Sequence, residues 1–153
     1  MRRAWFAVTA LLALVCALPA RAEIRVPDGA DVYKAECGSC HDAYPPQLLR
    51  RDDWWQILAG LDKHFGTNAS LSKAERQAVG ALLSRYGAES SDRGLTATEL
   101  RLTSTPNFRH HHRRVPAAAW TDPEVKRPSN CGACHLGADE GVFDHDAKLP
   151  GQS

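Results

Sequence analysis

Hydrophobic and polar positions divide the chain into an apolar start, a helical first half and an irregular second half. The apolar start covers positions 4–18, with Arg2 and Arg3 before it and an Ala-Arg-Ala site at 20–22 after it. It is shorter than the roughly 20 residues that a membrane-spanning helix needs. A basic start, a short apolar run and an A-x-A site are typical of a secretory signal peptide. We therefore predict a cleaved signal peptide over 1–22, a periplasmic protein and no membrane span after cleavage.

The hydrophobic period of the following segment predicts helices. Ile57, Leu61 and His64 stand at positions i, i+4 and i+7. A helix that extends through His64 would place this histidine on an apolar face. Asp52 or Asp53 is the expected N-cap of that helix.

A further helix is predicted from a capping box, Ser72-Lys-Ala-Glu75. Gly87 is expected to be the C′ residue that ends it. Its apolar stripe consists of Val79, Leu82, Leu83 and Tyr86.

The pattern changes after this helix. Positions 88–106 contain Ser, Asp, Gly and Thr and few apolar residues, which is typical of a linker or an extended segment. Positions 107–153 contain several prolines and no long amphipathic period, so we expect short helices and loops there. The prediction is a mainly α protein with an N-terminal domain over 23–87, a linker over 88–106 and a small, loop-rich C-terminal domain over 107–153.

Two motifs of equal spacing, CGSCH at 37–41 and CGACH at 131–135, match the c-type haem attachment sequence. We predict two covalent haem c groups, with His41 and His135 as the proximal iron ligands, and a small cytochrome domain in the first half. The remaining cysteine, Cys16, lies in the predicted signal peptide, which leaves none for a disulfide. The predicted thioether residues are Cys37, Cys40, Cys131 and Cys134.

Two other sites are compatible with paired cysteines. Four thiolates could instead form a tetrahedral zinc site, but that leaves both motif histidines and the export signal unexplained. A thioredoxin-like redox pair is disfavoured because no strand-helix-strand pattern surrounds either motif.

The distal iron ligands are constrained by the methionine content. The only methionine is Met1, so the methionine ligand of many cytochromes c is absent from the mature chain. A sixth ligand from the protein is therefore expected to be histidine. His64 is the candidate for the first haem, because it shares its predicted helix face with aliphatic residues. The residues alone do not separate the candidates for the second haem, which are His110, His111, His112 and His145.

Charge is informative mainly in its distribution. Without the three arginines of the predicted leader, the chain has 16 basic and 18 acidic residues, a formal charge of −2. This balance gives no general reason to bind nucleic acid. The one basic cluster covers 109–114, with Lys126 and Arg127 further along. It is either a solvated loop that neutralises haem propionates or a docking patch for an acidic redox partner.

Three stretches carry a resemblance to a known family. CGSCHDAYPPQLLRRDDWWQILAGLDKHFGTNASL, TPNFRHHHRRV and NCGACH with the later GVFDHDAKLPG resemble the bacterial dihaem cytochromes c. The resemblance implies a soluble periplasmic protein with a class-I-like N-terminal haem domain, a linker, a distinct C-terminal haem domain and bis-histidine haems. The family's HFG histidine matches His64. Its second distal histidine aligns with His112, and its later glutamate-histidine pair matches Asp144-His145, so we choose His112 with His145 as the fallback.

Two imidazoles on each iron would leave no open coordination position. We therefore predict outer-sphere transfer of single electrons, no catalytic residue and no enzyme activity. The resemblance implies redox partners, including an oxygen-binding monohaem cytochrome or a membrane b-type cytochrome. The alternatives are the small dihaem subunit of a periplasmic nitrate reductase, a dihaem peroxidase and a haem-based sensor, of which the last two require an open iron. The aromatic residues expected to pack against the haems are Tyr44, Trp54, Trp55, Trp120 and Phe143.

Overall fold

The computed structural model describes residues 24–143 and 147–149, so the predicted signal peptide and the Asp144-His145 pair lie outside it. This part of the chain is helical and contains no strand, which confirms the mainly α prediction. The α-helices are α1 (Asp31–Cys37), α2 (Arg51–Ala59), α3 (Lys73–Tyr86), α4 (Pro106–His111) and α5 (Ala117–Trp120). The 3-10 turns are Pro46–Leu48, Leu61–Lys63, Arg93–Leu95, Thr98–Leu100, Leu102–Ser104 and Cys131–Ala133.

The first half is organised around α3, against which both α1 and α2 pack. The predicted capping box is confirmed: the Glu75 amide donates to Ser72 Oγ, and the Ser72 amide donates to Glu75 Oε2. Burial of apolar side chains between these helices is the main stabilising contribution to such a core. Deeply buried apolar side chains of this region include Tyr33, Leu49, Leu58, Val79 and Leu83.

The start of α2 differs from the prediction. Neither Asp52 nor Asp53 caps the helix, because Arg50 occupies the N-cap position. The Arg50 guanidinium instead donates two hydrogen bonds of 2.8 Å to the carboxylate of Asp53, which is 2% exposed. A bidentate pair of this kind satisfies the buried charge, and the carboxylate remains in the first turn, where the helix dipole favours it.

The end of α2 also differs. The predicted helix through His64 stops at Ala59, and the Gly60 amide donates to the carbonyl oxygens of both Gln56 and Ile57. This shared hydrogen bond tightens the backbone into a 3-10 turn. The chain then reverses at Phe65, whose φ is 46°, so that His64 ends a turn and does not lie on a helix.

Gly87 follows α3 with a φ of −61°, which is not the left-handed conformation expected of a C′ glycine. A Cβ at this position would lie 2.6 Å from the Leu83 carbonyl oxygen and 3.0 Å from Arg51 Cγ. A glycine is therefore required here, because a Cβ would meet the backbone of the last turn of α3 and also the Arg51 side chain of α2.

The predicted linker is more folded than an extended segment. Positions 88–106 contain three 3-10 turns, and Leu95 and Leu102 are buried. Thr105, 1% exposed, accepts the Phe108 amide and so caps α4. The turn Thr98–Leu100 contacts α2, whereas Arg93–Leu95 and Leu102–Ser104 contact α4, so this segment packs against both halves.

The second half consists of two short helices and turns. Among the described residues after 106, Val125 and Ala138 are the buried hydrophobic side chains. Backbone hydrogen bonds join this half to the first described residues: the Val26 amide donates to Gly141, and the Phe143 amide donates to Ile24. No helix in the described segments is long and apolar enough to cross a membrane.

Candidate haem sites

The first site is a cavity of about 630 Å³ between α1, α2 and α3. This volume is within the usual range for cofactor sites. Cys37, Cys40 and His41 lie in its wall, as does His64. The attachment motif thus lies at the edge of the cavity, and most of the remaining lining is apolar. Its main apolar lining residues are Leu49, Trp54, Leu58, Leu61, Val79 and Leu83.

The imidazole rings of His41 and His64 both line this cavity and lie close to each other. Their centres are 6.3 Å apart and their planes differ by 30°. An imidazole nitrogen binds a transition metal at about 2 Å and the ring centre lies roughly 1 Å further, so two rings that share one metal have centres about 6 Å apart. The observed spacing leaves room for one iron between the two histidines.

The tautomer of His41 suits ligation. Its Nδ1 lies 2.8 Å from the carbonyl oxygen of Asp42. Because a carbonyl oxygen only accepts, Nδ1 carries the proton and Nε2 keeps a lone pair for a metal. Burial, with a smaller contribution from His41, lowers the pKa of His64, which favours the neutral form that binds metals.

One cysteine of each motif is partly buried in the folded chain, which favours its neutral thiol form. Burial raises the pKa of Cys37 to about 11 and that of Cys131 to about 12. In the described residues, no three His, Cys, Asp or Glu side chains converge as a metal-ion site, so these cysteines do not form the tetrahedral zinc cluster considered as an alternative.

A Cβ on Gly38 would lie 2.3 Å from the Lys34 carbonyl oxygen, which explains the glycine after Cys37.

The second site is smaller and more open, with a cavity of about 300 Å³. The rings of His112 and His135 have centres 6.1 Å apart and planes that differ by 75°. His112 Nδ1 donates to the carbonyl oxygen of Phe108 at 2.8 Å, and the Phe108 ring stacks on the imidazole at 4.0 Å. These two contacts hold the His112 ring and leave its Nε2 for a metal. The cavity lining residues are Thr103, Phe108, Arg109, His112, Trp120 and Pro128.

The three neighbouring histidines have different surroundings. His110 and His111 are exposed, whereas His112 is half-buried at the end of α4. Thr105 caps this helix and Pro106 begins it, which fixes the turn that brings His112 over Phe108. His145 lies outside the described residues.

Four of the five predicted aromatic residues lie near a histidine ligand candidate or line a cavity. Tyr44 stacks on His41 at 4.8 Å, Trp54 lines the first cavity, and Trp120 and Phe143 lie 5.9 and 6.0 Å from His112 and His135. The prediction for Trp55 is wrong: this side chain is 49% exposed and packs against α3 at Gly80.

Sequence reasoning missed Arg101 and Pro128 at the first cavity, and it expected Arg127 only as part of a basic region that could neutralise haem propionates. Arg101, from the predicted linker, lines the cavity and places its guanidinium 4.6 Å from the centre of the Phe65 ring. Arg127 and Pro128, from the second half, also line it, and Pro128 lines the second cavity as well. The two sites therefore adjoin. No periodic pattern marks these residues.

Comparison with known proteins identifies the family. The family model described as dihaem cytochrome c matches residues 33–143. The chain belongs to this family. A diheme cytochrome c from Rhodobacter sphaeroides is 36% identical, with a TM-score of 0.68 over 78% of this chain and 99% of that one. A diheme cytochrome c from Shewanella baltica OS155 is 35% identical, with a TM-score of 0.66 over 78% of this chain and 92% of that one.

As a dihaem cytochrome c, the protein binds two haem c groups and transfers electrons. The residues fit these groups, because the first attachment motif lines the larger cavity, and His135 of the second motif lies next to His112, which lines the smaller one. A curated relative, a polyvinylalcohol dehydrogenase from Pseudomonas sp., is 40% identical over 86 residues. The match covers 51% of this chain but only 13% of that protein.

Proposed function

We propose that this protein relays single electrons in the periplasm through two haems that are each ligated by two histidines. His41 and His64 would hold the first iron, and His135 and His112 the second. The observation that carries the proposal is the two pairs of neighbouring imidazoles, with ring centres 6.3 and 6.1 Å apart. Both separations match the spacing of two rings on one metal.

Haem supplies reversible one-electron chemistry when bound. The protein's contribution is to saturate the iron and to hold the ligand rings. Carbonyl oxygens fix the tautomers of His41 and His112, and bis-histidine ligation favours a lower potential than Met/His ligation. With no coordination position left for a substrate, outer-sphere electron transfer is the function that this arrangement supports, and not catalysis.

We further propose that redox partners dock at the second site through the basic cluster, defined as residues 109–114. Arg109 lines the second cavity, and Arg113 and Arg114 are exposed. A positive rim beside a haem would steer an acidic redox protein toward the site at which electrons leave or enter. An oxygen-binding monohaem cytochrome and a membrane b-type cytochrome are the partner classes that we propose to test first.

Ligand substitution tests the ligation. His64→Ala and His112→Ala are each expected to retain both haems but to turn one iron high-spin in electron paramagnetic resonance (EPR). That iron should bind carbon monoxide when reduced, because a coordination position has been vacated. The other iron should stay low-spin. His145→Ala is the matched control and should leave both signals unchanged.

Other outcomes would redirect the proposal. A high-spin iron in His145→Ala together with an unchanged His112→Ala variant would make His145 the ligand. Stoichiometric carbon monoxide binding by the unaltered reduced protein would contradict bis-histidine ligation and favour a peroxidase or a sensor.

A further inference from the structure

The residue that follows the first haem attachment motif contacts the second motif directly. Asp42, which follows the first motif, accepts a hydrogen bond of 2.9 Å at Oδ2 from the backbone amide of Gly132. Gly132 lies inside the second motif, between Cys131 and Cys134. The carboxylate lies against this glycine, since a Cβ there would be 3.4 Å from Asp42 Oδ1. The two attachment loops are therefore held together at one point by Asp42.

Tyr44 makes a second link between the same two segments. One face of its ring stacks on His41, with centres 4.8 Å apart and planes within 14°. Its hydroxyl donates a hydrogen bond of 2.9 Å to the carbonyl oxygen of Ser129, two residues before Cys131. The backbone of Tyr44 is fixed in turn, because the hydroxyl of Tyr33 in α1 donates to its carbonyl oxygen. One side chain thus touches the proximal ligand of the first haem and the loop that carries the second.

We propose that Tyr44, assisted by Asp42, is a positioning residue for electron exchange between the two haems. Its ring holds the plane of the His41 imidazole, and its hydroxyl holds the 129–134 loop at a fixed distance from that ligand. Groups behind a metal ligand set its orientation and tune the metal. The inference rests on the proposed function, since it takes His41 as an iron ligand and the two haems as an electron relay.

The two halves are also joined by contacts that do not depend on Tyr44, so its positioning role can be removed without unfolding the protein. Val26 and Gly141 are joined by a backbone hydrogen bond of 2.8 Å, and Lys34 Nζ donates to the carbonyl oxygen of Glu140. These contacts do not involve Tyr44. Loss of the tyrosine hydroxyl should therefore loosen the second attachment loop locally while the two halves stay packed.

Two substitutions separate the functions of the side chain. Tyr44→Phe keeps the ring on His41 and removes the bond to Ser129, whereas Tyr44→Leu removes both. Tyr44→Phe should leave the low-spin EPR signal of the first haem unchanged, shift or broaden that of the second, and slow electron exchange between the haems several-fold. Tyr44→Leu should shift both signals. Tyr86→Phe, at an exposed tyrosine that lines neither cavity, is the control and should change nothing.

Exchange between the haems is measured in half-reduced protein by NMR exchange spectroscopy of the haem methyl groups. The EPR signals are assigned with the ligand variants described above. If Tyr44→Leu does not mature, Asp42→Ala removes the other bond to the loop without touching the ring stack and should also slow the exchange. Exchange at the original rate in Tyr44→Phe would overturn the proposal. A first haem that is not low-spin in the unaltered protein would instead contradict the ligation proposal.

Discussion

The first haem site is enclosed by side chains of three packed helices, whereas the second is bounded by short helices and turns. The first half buries apolar residues from α1, α2 and α3, but Val125 and Ala138 are the buried hydrophobic side chains among the described residues after 106. The histidine pairs nevertheless have nearly the same separation, 6.3 and 6.1 Å. A similar separation of the two rings thus arises in one case from a protein core and in the other from local contacts to the His112 ring, although the ring planes differ by 30° in the first pair and 75° in the second.

The largest expected difference concerns removal of one haem at a time. Cys131→Ala/Cys134→Ala, which prevents attachment of the second haem, should unfold much of 107–143 but leave α1 to α3 folded. A segment with so little buried apolar surface depends on its cofactor for a core. Hydrogen–deuterium exchange is the measurement, and loss of protection in α4 and α5 but not in α3 is the expected result.

The reciprocal variant is the control for this comparison. Cys37→Ala/Cys40→Ala would leave the first cavity of about 630 Å³ without its covalent cofactor, and the second half packs against this region. We expect faster exchange in both halves. If each variant speeds exchange to the same extent and only in the half that lost its haem, the proposed difference between the two sites is wrong.

A smaller effect on stability is expected when the buried ion pair between Arg50 and Asp53 in the first half is removed. Asp53→Ala should lower the free energy of unfolding by about 3 kcal/mol, the low end of the range for breaking a buried pair, because Arg50 stays partly exposed. Chemical denaturation followed by helical circular dichroism measures this change. Asp52→Ala, at the exposed neighbouring carboxylate, is the control. A loss below about 0.5 kcal/mol, as at ordinary surface sites, would show that the pair is not needed.

The smallest expected effect concerns the basic cluster, which borders the second site. Arg113→Glu/Arg114→Glu should slow oxidation of the reduced protein by ferricyanide, an anion, about tenfold at low ionic strength. It should speed oxidation by the cation hexaammineruthenium(III). Both changes should fade at high salt because exposed charges are screened. Arg76→Glu/Arg85→Glu on α3 is the matched control, and equal slowing in that variant would remove the docking role from residues 109–114.

The residues that could be predicted from the sequence are those whose chemistry requires a fixed spacing. The motifs at 37–41 and 131–135 are of this kind, because thioether attachment and proximal ligation need adjacent residues. The capping box at Ser72 and Glu75 was predictable for the same reason. The position of His64 near the first motif was expected, but the helix that was to carry it ends at Ala59. Hydrophobic periodicity does not predict that the Gly60 amide shares its hydrogen bond between two carbonyl oxygens, which tightens the chain into a 3-10 turn.

Contacts between distant segments were not predictable from pattern. Arg101 reaches the first cavity from a segment that lacks a hydrophobic period, and Pro128 lines both cavities. The surroundings of His112 depend on a helix of six residues, Pro106–His111, which is too short to give a period. Neither the Thr105 cap nor the stacking of the Phe108 ring on His112 follows from a hydrophobic pattern. Tertiary packing determines these positions, and a single sequence does not display it.

The hydrogen bond between Asp42 and Gly132 also has a consequence for maturation. It joins residues 90 positions apart, and closing a loop of that length costs about 4 kcal/mol plus a constant. One hydrogen bond, with a net contribution of about 1 kcal/mol, does not offset this cost. Docking of the second attachment loop therefore has to occur together with many other contacts, late in assembly. Until then the CGACH segment is an open chain, which is the form that a haem-attaching enzyme can reach.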